Sequence, residues 1–187
     1  MIVVNLWGAP GTGKSTTAFG LTYLLKINLF KTDMVPEYAK ELTYEKREDI
    51  FGDQTSIFAE QNRRLRRLLA HDLDYAVADS PLPLPIIYKP KGYLDEFDAL
   101  VLARFRTYNN INYLLHRTDH AFEKVGRRHN EEEAQQKAEE IRQFLDTHEI
   151  PYQPINTNPD TPALILQDLM NRRAAPVLHM PDAFKVG

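Results

Sequence analysis

A glycine-rich segment that ends in a lysine and a hydroxyl residue is the stretch of this chain best suited to chemistry. It fits the pattern G-x-x-x-x-G-K-[ST] at every fixed position. Its glycines allow close approach to phosphates, and its N–H groups together with the following helix N-terminus surround an anion. The lysine is expected to reach the β- and γ-phosphates and the serine hydroxyl to ligate Mg²⁺. The segment comprises Gly8, Ala9, Pro10, Gly11, Thr12, Gly13, Lys14 and Ser15, followed by Thr16.

Acidic residues follow two predicted strands. Asp79 comes directly after the apolar run Tyr75–Ala78, the position from which a carboxylate holds Mg²⁺ through water. The alternative is that Asp79 caps the next turn. Asp33 and Glu37 lie at or just past the end of the second predicted strand, where parallel sheets bind ligands. For Glu37 the alternative is a simple helix-capping role.

Basic and polar residues form the remaining candidates. Gly126-Arg127-Arg128 lies between a strand and an acid-started helix, which predicts a mobile lid that places guanidinium groups over a phosphate. An ordinary basic loop is the alternative. Arg117, where the fourth strand leaves the sheet, and Asn156 and Thr157, in a turn expected near the glycine-rich loop, are candidate nucleotide contacts.

The helix predicted from about Gln54 to His71 carries a polar and arginine-rich face. A solvated helix face is the simpler interpretation of this pattern. The functional interpretation is that some of these side chains contact an acceptor substrate. The candidates for that contact are Gln54, Gln61 and Arg63, together with Glu37 and Tyr38.

The elements that must position these residues alternate between strand and helix. This order predicts an α/β fold, a three-layer sandwich with a mostly parallel five-stranded sheet. Proline-rich residues 81–85 are predicted to be irregular and residues 88–93 to form an exposed loop. The predicted strands are 2–7, 27–35, 75–80, 111–117 and 151–155, and the main helices are 17–25, 36–42, 54–71, 94–108, 131–148 and 161–173.

Length and composition limit the class of protein. The chain has 187 residues, 43% of them hydrophobic, a formal net charge of −3 and no cysteine. These values predict one domain over residues 1–173 with a tail over 174–187, and exclude disulfides and cysteine-ligated zinc. The net charge disfavours DNA as a partner without excluding it. No apolar stretch predicts a membrane span, so we expect a cytoplasmic protein. The sequence leaves the oligomeric state open.

With these residues placed, residues 1–173 resemble the P-loop kinases of small molecules. They are most similar to the nicotinamide riboside kinase-like group and to related AAA-type ATP-binding kinases of phages. The stretches that carry the resemblance are Gly8–Thr16, Val35–Glu41, Asp79-Ser80-Pro81, and Gly126–Arg128 with Glu131–Ala134.

The resemblance implies transfer of the ATP γ-phosphoryl group to an alcohol, with Mg²⁺ as cofactor, in the host cytoplasm if the protein is phage-encoded. It also implies that an acid after the second strand accepts the proton of the attacking hydroxyl; Glu37 matches that position best and Asp33 is the alternative. Many nucleoside kinases have an arginine after the acid of the third strand, where this chain has Ser80. This departure leaves the acceptor open.

Three functions therefore stand as hypotheses. The first is a kinase of a nucleoside- or nucleotide-like acceptor. The second is a kinase of hydroxymethyl-pyrimidine bases in DNA, as the resemblance to phage members implies. The third is an NTP-hydrolysing switch or interaction module without an acceptor, and the candidate base at Glu37 and the arginines at 127 and 128 argue against it.

Overall fold

A computed structural model describes residues 1–117 and 131–174, and a parallel sheet forms their centre. The strand order is β2-β3-β1-β4-β5, and every pairing is parallel. The predicted parallel five-stranded sheet is thus confirmed. The strands are β1 (Ile2–Trp7), β2 (Thr32–Val35), β3 (Tyr75–Ala78), β4 (Asn109–His116) and β5 (Gln153–Asn156).

Helices cover both faces of the sheet. Helices α1 and α7 pack on one face, while α3, α4, α5 and α6 pack on the other. The helices are α1 (Lys14–Ile27), α2 (Tyr38–Tyr44), α3 (Gln54–Arg66), α4 (Leu84–Tyr88), α5 (Glu96–Arg106), α6 (Glu131–Thr147) and α7 (Thr161–Ala174), with short 3₁₀ turns at Glu48–Ile50 and Arg67–Ala70.

The two-residue period of β1 explains why both faces are covered. Val3 and Trp7 belong to the core under α3 to α6, whereas Val4 and Leu6 belong to the core under α1 and α7. Successive side chains of a strand point to opposite faces, so a strand that is apolar at nearly every position must be buried on both. The result is a three-layer α/β sandwich whose strands all end at one edge.

The second strand is shorter than the sequence predicts. Residues 27–31 complete the end of α1, where the Phe30 N–H donates to the Leu25 carbonyl and the Leu29 N–H to the Lys26 carbonyl. Leu29 adopts a left-handed backbone with φ 65°, the conformation that ends many helices. These residues therefore form the end of the helix rather than the start of the strand, and β2 begins only at Thr32.

The proline-rich segment is also ordered differently from the prediction. Leu84–Tyr88 forms α4, with Pro83 at its N-cap and Pro85 in its first turn. A proline in the first turn gives up an N–H that has no helical partner in any case, so it is tolerated there. Leu84, Pro85 and Ile86 are buried against the core. Within the described residues, no helix is both long and apolar enough to cross a membrane.

Candidate active site

A cavity of about 560 Å³ opens where β1, β2 and β3 end. One part of its wall is the glycine-rich loop, called the P-loop below, with the start of α1. The other part comes from α2, the residues before α3, and α4. Its lining residues are Gly8, Pro10, Gly11, Gly13, Lys14, Ser15, Thr16, Glu37, Ala39, Lys40, Thr43, Tyr44, Phe51, Gln54, Ile57, Ser80, Leu84, Pro85, Tyr88 and Glu133.

The P-loop requires glycine for both conformation and space. Gly11 and Gly13 have φ of 91° and 84°, a region that side chains rarely adopt. A Cβ at Gly8 would lie 2.6 Å from the Thr12 hydroxyl and 2.9 Å from the Leu115 carbonyl. The loop is therefore held close to β4, with Gly13 at the N-cap of α1.

Lys14 lies across the mouth of this loop. Its Nζ donates to the carbonyls of Gly8 at 2.9 Å and Ala9 at 3.0 Å. The Thr12 hydroxyl also donates to the Ala9 carbonyl, at 3.0 Å, so Ala9 and Thr12 brace the loop from within the protein. The loop thus presents its backbone and a cation on one side, which is the arrangement that a polyphosphate needs.

Asp79 suits a magnesium site. It is only 2% exposed, and its Oδ1 has no hydrogen-bond partner among the described residues. A buried carboxylate oxygen left unpaired is costly unless a cation or ordered water meets it. Ser15 lines the cavity, and Asp79 lies directly before Ser80, which lines it too. Ser15 and Asp79 therefore fit a Mg²⁺ held directly by one and through water by the other; the described residues contain no cluster of three or more metal-binding side chains.

Glu37 occupies the N-cap position of α2, yet its side chain makes no capping hydrogen bond. Its backbone is extended and its carboxylate lines the cavity. Burial raises the pKa of Glu37; the charge of Lys14 opposes this rise, the Asp79 carboxylate adds to it, and Lys40 opposes it. The purely capping role considered from the sequence is not what this geometry supports.

Asp33, the alternative acid, lies elsewhere. It is exposed on β2, an edge strand of the sheet, and does not line the cavity. Its carboxylate accepts the Met34 N–H at 2.8 Å. Successive side chains of a strand point to opposite faces of the sheet, so the sequence alone could not tell whether the Asp33 side chain points toward the cavity.

Aromatic residues that sequence patterns missed line the cavity from α2, from the segment before α3 and from α4. They are Tyr44, Phe51 and Tyr88, and the predicted exposed loop is wrong for Tyr88, which is half-buried. Burial and the nearby Glu37 charge raise the pKa of Tyr88, so its hydroxyl stays neutral. Gln54, a predicted acceptor contact, lines the cavity, and its amide donates to the Phe51 carbonyl at 2.8 Å.

Three of the other predicted acceptor contacts lie outside the cavity lining. Gln61 is buried; it accepts the Tyr38 N–H at 3.1 Å and donates to the Pro36 and Ser80 carbonyls at 3.2 and 3.3 Å. It therefore ties the residues after β2 to those after β3. Arg63 is exposed and pairs with Glu60 at 2.7 Å.

The predicted nucleotide contacts after β4 and β5 also differ in where they lie relative to the P-loop. Thr157 is buried beside the P-loop, its Cγ2 4.0 Å from the position of a Cβ on Gly13, and its hydroxyl donates to the His116 carbonyl at 3.0 Å. Asn156 is exposed at the end of β5, and Arg117 is half-buried after β4. Arg127, Arg128 and the predicted lid lie outside the described residues.

Solved structures share this fold at low sequence identity. NadR protein in complex with NR has a TM-score of 0.67 and 14% identity, with 95% of this chain and 52% of that one aligned. Deoxyadenosine kinase from M. mycoides with bound dATP has a TM-score of 0.60 and 15% identity, with 90% of this chain and 99% of that one aligned. Shikimate kinase from Aquifex aeolicus has a TM-score of 0.52 and 16% identity, with 93% of this chain and 99% of that one aligned. The fold is therefore that of P-loop kinases.

Sequence comparisons extend this result to a family. No curated protein matches the sequence. A family model described as an AAA domain matches residues 3–160, from β1 through β5 and the turn before α7. That span contains the P-loop, Glu37, Asp79 and every residue that lines the cavity. The chain therefore belongs to this AAA domain family.

Proposed function

We propose that the protein is an ATP-dependent phosphotransferase that moves the γ-phosphoryl group to a hydroxyl of a nucleoside- or nucleotide-like acceptor. One observation carries this proposal. Glu37, a poorly hydrated carboxylate with no capping bond, shares a cavity with Lys14 and the P-loop. A carboxylate in this place can accept the proton of an attacking hydroxyl, and the cavity also has space and aromatic side chains for an acceptor larger than water.

The proposed reaction assigns each group a step. The acceptor oxygen attacks the γ-phosphorus, the bond from that phosphorus to the bridging oxygen breaks, and ADP leaves. Glu37 accepts the proton of the acceptor hydroxyl, for which its raised pKa suits it better than an ordinary carboxylate. Lys14 offsets charge on the phosphoryl oxygens. When bound at Ser15 and Asp79, Mg²⁺ would neutralise the polyphosphate.

The two substrates occupy different sides of the P-loop in this proposal. Thr157 at the end of β5 marks the side for the ATP nucleoside. The opposite side, beyond β3 and β2, holds Glu37 and the aromatic wall, which consists of Tyr44, Phe51 and Tyr88. A flat base fits against aromatic rings. Deoxyadenosine kinase and NadR, which share this fold, are solved with bound dATP and with NR, so the fold accommodates a deoxynucleotide ligand.

A transfer assay with γ-labelled ATP tests the proposal. Purified protein is incubated with nucleosides, nucleotides and an oligonucleotide that contains a hydroxymethyl-pyrimidine, and labelled products are separated. We expect label on a hydroxyl of at least one acceptor, dependent on both Lys14 and Glu37. Label on the oligonucleotide alone would favour the DNA-base kinase. ATP hydrolysis that no acceptor stimulates would replace the kinase with the switch.

A further inference from the structure

Lys40 is the cation that α2 brings to the cavity. It lines the cavity and is half-buried there. Within the described residues it forms no ion pair, whereas the neighbouring arginines hold carboxylates. Those pairs are Arg47 with Asp49, Arg63 with Glu60, and Arg64 with both Glu41 and Glu60.

The topology places Lys40 on the acceptor side of the cavity. Helix α2 follows β2, which is one edge of the sheet, while Thr157 follows β5 at the other edge. The P-loop lies between them, after β1. An ATP that extends from Thr157 to Lys14 therefore leaves Lys40 beyond its γ-phosphate, where only the second substrate can reach it.

The residues that line the cavity with Lys40 indicate which kind of ligand group its ammonium could bind. Tyr44, one helical turn later, also lines the cavity, as do Phe51 and Tyr88. A half-buried cation loses part of its hydration, and an anion compensates for that loss. Glu37 lies three residues earlier, but as the proposed base it must exchange a proton with the acceptor. An ammonium group offers three donors, enough to bind an oxyanion of a ligand.

We propose that Lys40 binds a phosphate group carried by the acceptor, at a position away from the hydroxyl that reacts. This inference rests on the proposed function and narrows it. The acceptor is then an alcohol with a flat ring and a phosphate, rather than a neutral nucleoside. The phosphate can belong to a free nucleotide or to the backbone of a nucleic-acid strand, because a lysine recognises both as a point charge.

Matched ligand pairs test this subsite. The probes are thymidine with thymidine 3′-monophosphate, and 5-hydroxymethyl-2′-deoxyuridine with its 5′-monophosphate; each pair keeps a free hydroxyl. An oligonucleotide with the same hydroxymethylated base separates strand from free nucleotide. Binding is measured by calorimetry with Mg²⁺ and a non-hydrolysable ATP analogue filling the P-loop, and transfer is measured with ATP.

Three variants accompany the wild-type protein. Lys40→Met removes the charge and keeps an apolar stem, and Lys40→Arg keeps the charge. Lys26→Met removes one positive charge from an exposed position near the far end of α1. We expect the wild type to bind a phosphorylated member about 10- to 100-fold more tightly than its partner, the range for hydrogen bonds to charged groups. Lys40→Met should bind both alike, while Lys40→Arg and Lys26→Met keep the preference.

Several outcomes would overturn the inference. One is a wild type without preference for any phosphorylated probe, and another is a preference that survives in Lys40→Met. If Lys40 serves only Glu37, the variant lowers kcat equally for neutral and phosphorylated acceptors and leaves their KM ratio unchanged. Transfer without the preference would leave the phosphotransferase standing, whereas Lys40-dependent binding without transfer would leave only the subsite.

Discussion

The two sides of the cavity are built in different ways. The P-loop side is defined by backbone: positive φ at Gly11 and Gly13, close approach at Gly8, and a lysine held by two loop carbonyls. The acceptor side is defined by side chains from separate segments, among them Tyr44, Phe51 and others that no local pattern links. In the proposed reaction, a contiguous backbone motif binds the phosphate donor, while a dispersed set of side chains selects the acceptor.

The two sides should also differ in how well they tolerate substitution. A loop whose geometry demands glycine tolerates few substitutions, so the donor site keeps its pattern. A wall of side chains can change its substrate by single replacements without disturbing the sheet. Ser80, directly after Asp79, is one of the side chains that line the cavity. We therefore expect variants on the two sides to fail in different steps of the reaction.

The largest effect should follow from Lys14→Ala. Removing the cation at the polyphosphate should lower transfer by about 10³–10⁵-fold, the range for charged groups that stabilise a transferring phosphoryl group. Binding of ATP should also weaken, because the loss is on the donor side. Labelled-ATP transfer and ATP titration measure the two effects, with circular dichroism as the control for folding. Unchanged turnover in a folded variant would remove the nucleotide site from this cavity.

Glu37→Gln should fail in the opposite way. It keeps the shape of the side chain but removes its basicity, so transfer should fall by about 10²–10⁴-fold while ATP affinity stays unchanged. In the wild type, kcat/KM should decline as the pH falls through a pKa above that of an ordinary glutamate, because burial raises it. Asp33→Asn is the matched control; a large loss there, with Glu37→Gln active, would transfer the role of base to Asp33.

The metal assignment predicts a smaller and conditional defect. Ser15→Ala and Asp79→Asn should each raise the Mg²⁺ concentration for half-maximal transfer by about 10- to 100-fold, the cost of lost metal-supporting groups. Excess Mg²⁺ should restore much of the activity, since neither variant removes the P-loop cation. A titration of initial rate against Mg²⁺ decides the matter. Wild-type Mg²⁺ dependence in both variants would dissociate these residues from the metal.

The sequence predicted the donor side and missed much of the acceptor side for one physical reason. Gly8 to Ser15 is contiguous, so its spacing alone specifies a loop, a helix start and an anion site. Tyr88 enters the cavity only because α4 forms from a proline-rich segment and packs between α3 and α6. That placement depends on tertiary packing, which local propensity does not encode. The burial of Gln61 likewise depends on carbonyls from two different loops.

The arginines of α3 test whether the acceptor wall rests on a rigid support. Arg64 is 11% exposed and pairs with Glu41 of α2 as well as Glu60, and its guanidinium lies 4.9 Å from the centroid of the Tyr38 ring. Arg64→Ala should lower the free energy of unfolding by about 1–3 kcal/mol, because it removes a mostly buried guanidinium that donates hydrogen bonds to the carboxylates of Glu41 and Glu60. Arg63→Ala, exposed and paired only to Glu60, should remain close to wild type. Denaturant unfolding and acceptor KM compare them; a raised KM for Arg63→Ala would restore its predicted substrate contact.

The smallest effect concerns the stability cost of keeping Glu37 ionised. Its folded-state pKa is raised mainly by burial, so ionisation is harder in the folded protein than in the unfolded chain. The protonated Glu37 carboxyl group therefore costs the folded protein nothing at pH values below its unfolded pKa. As the pH rises through the folded pKa, the group ionises and the folded protein loses this relative stability. At neutral pH, Glu37→Gln should thus have a Tm equal to or above that of the wild type, although it is inactive. The Tm difference should shrink toward acidic pH, where the wild-type side chain becomes protonated and resembles the amide. Differential scanning calorimetry of both proteins from neutral to acidic pH measures it. A Tm difference that is constant or reversed would mean that the fold does not hold Glu37 in an unfavourable charged state, and would weaken its assignment as the base.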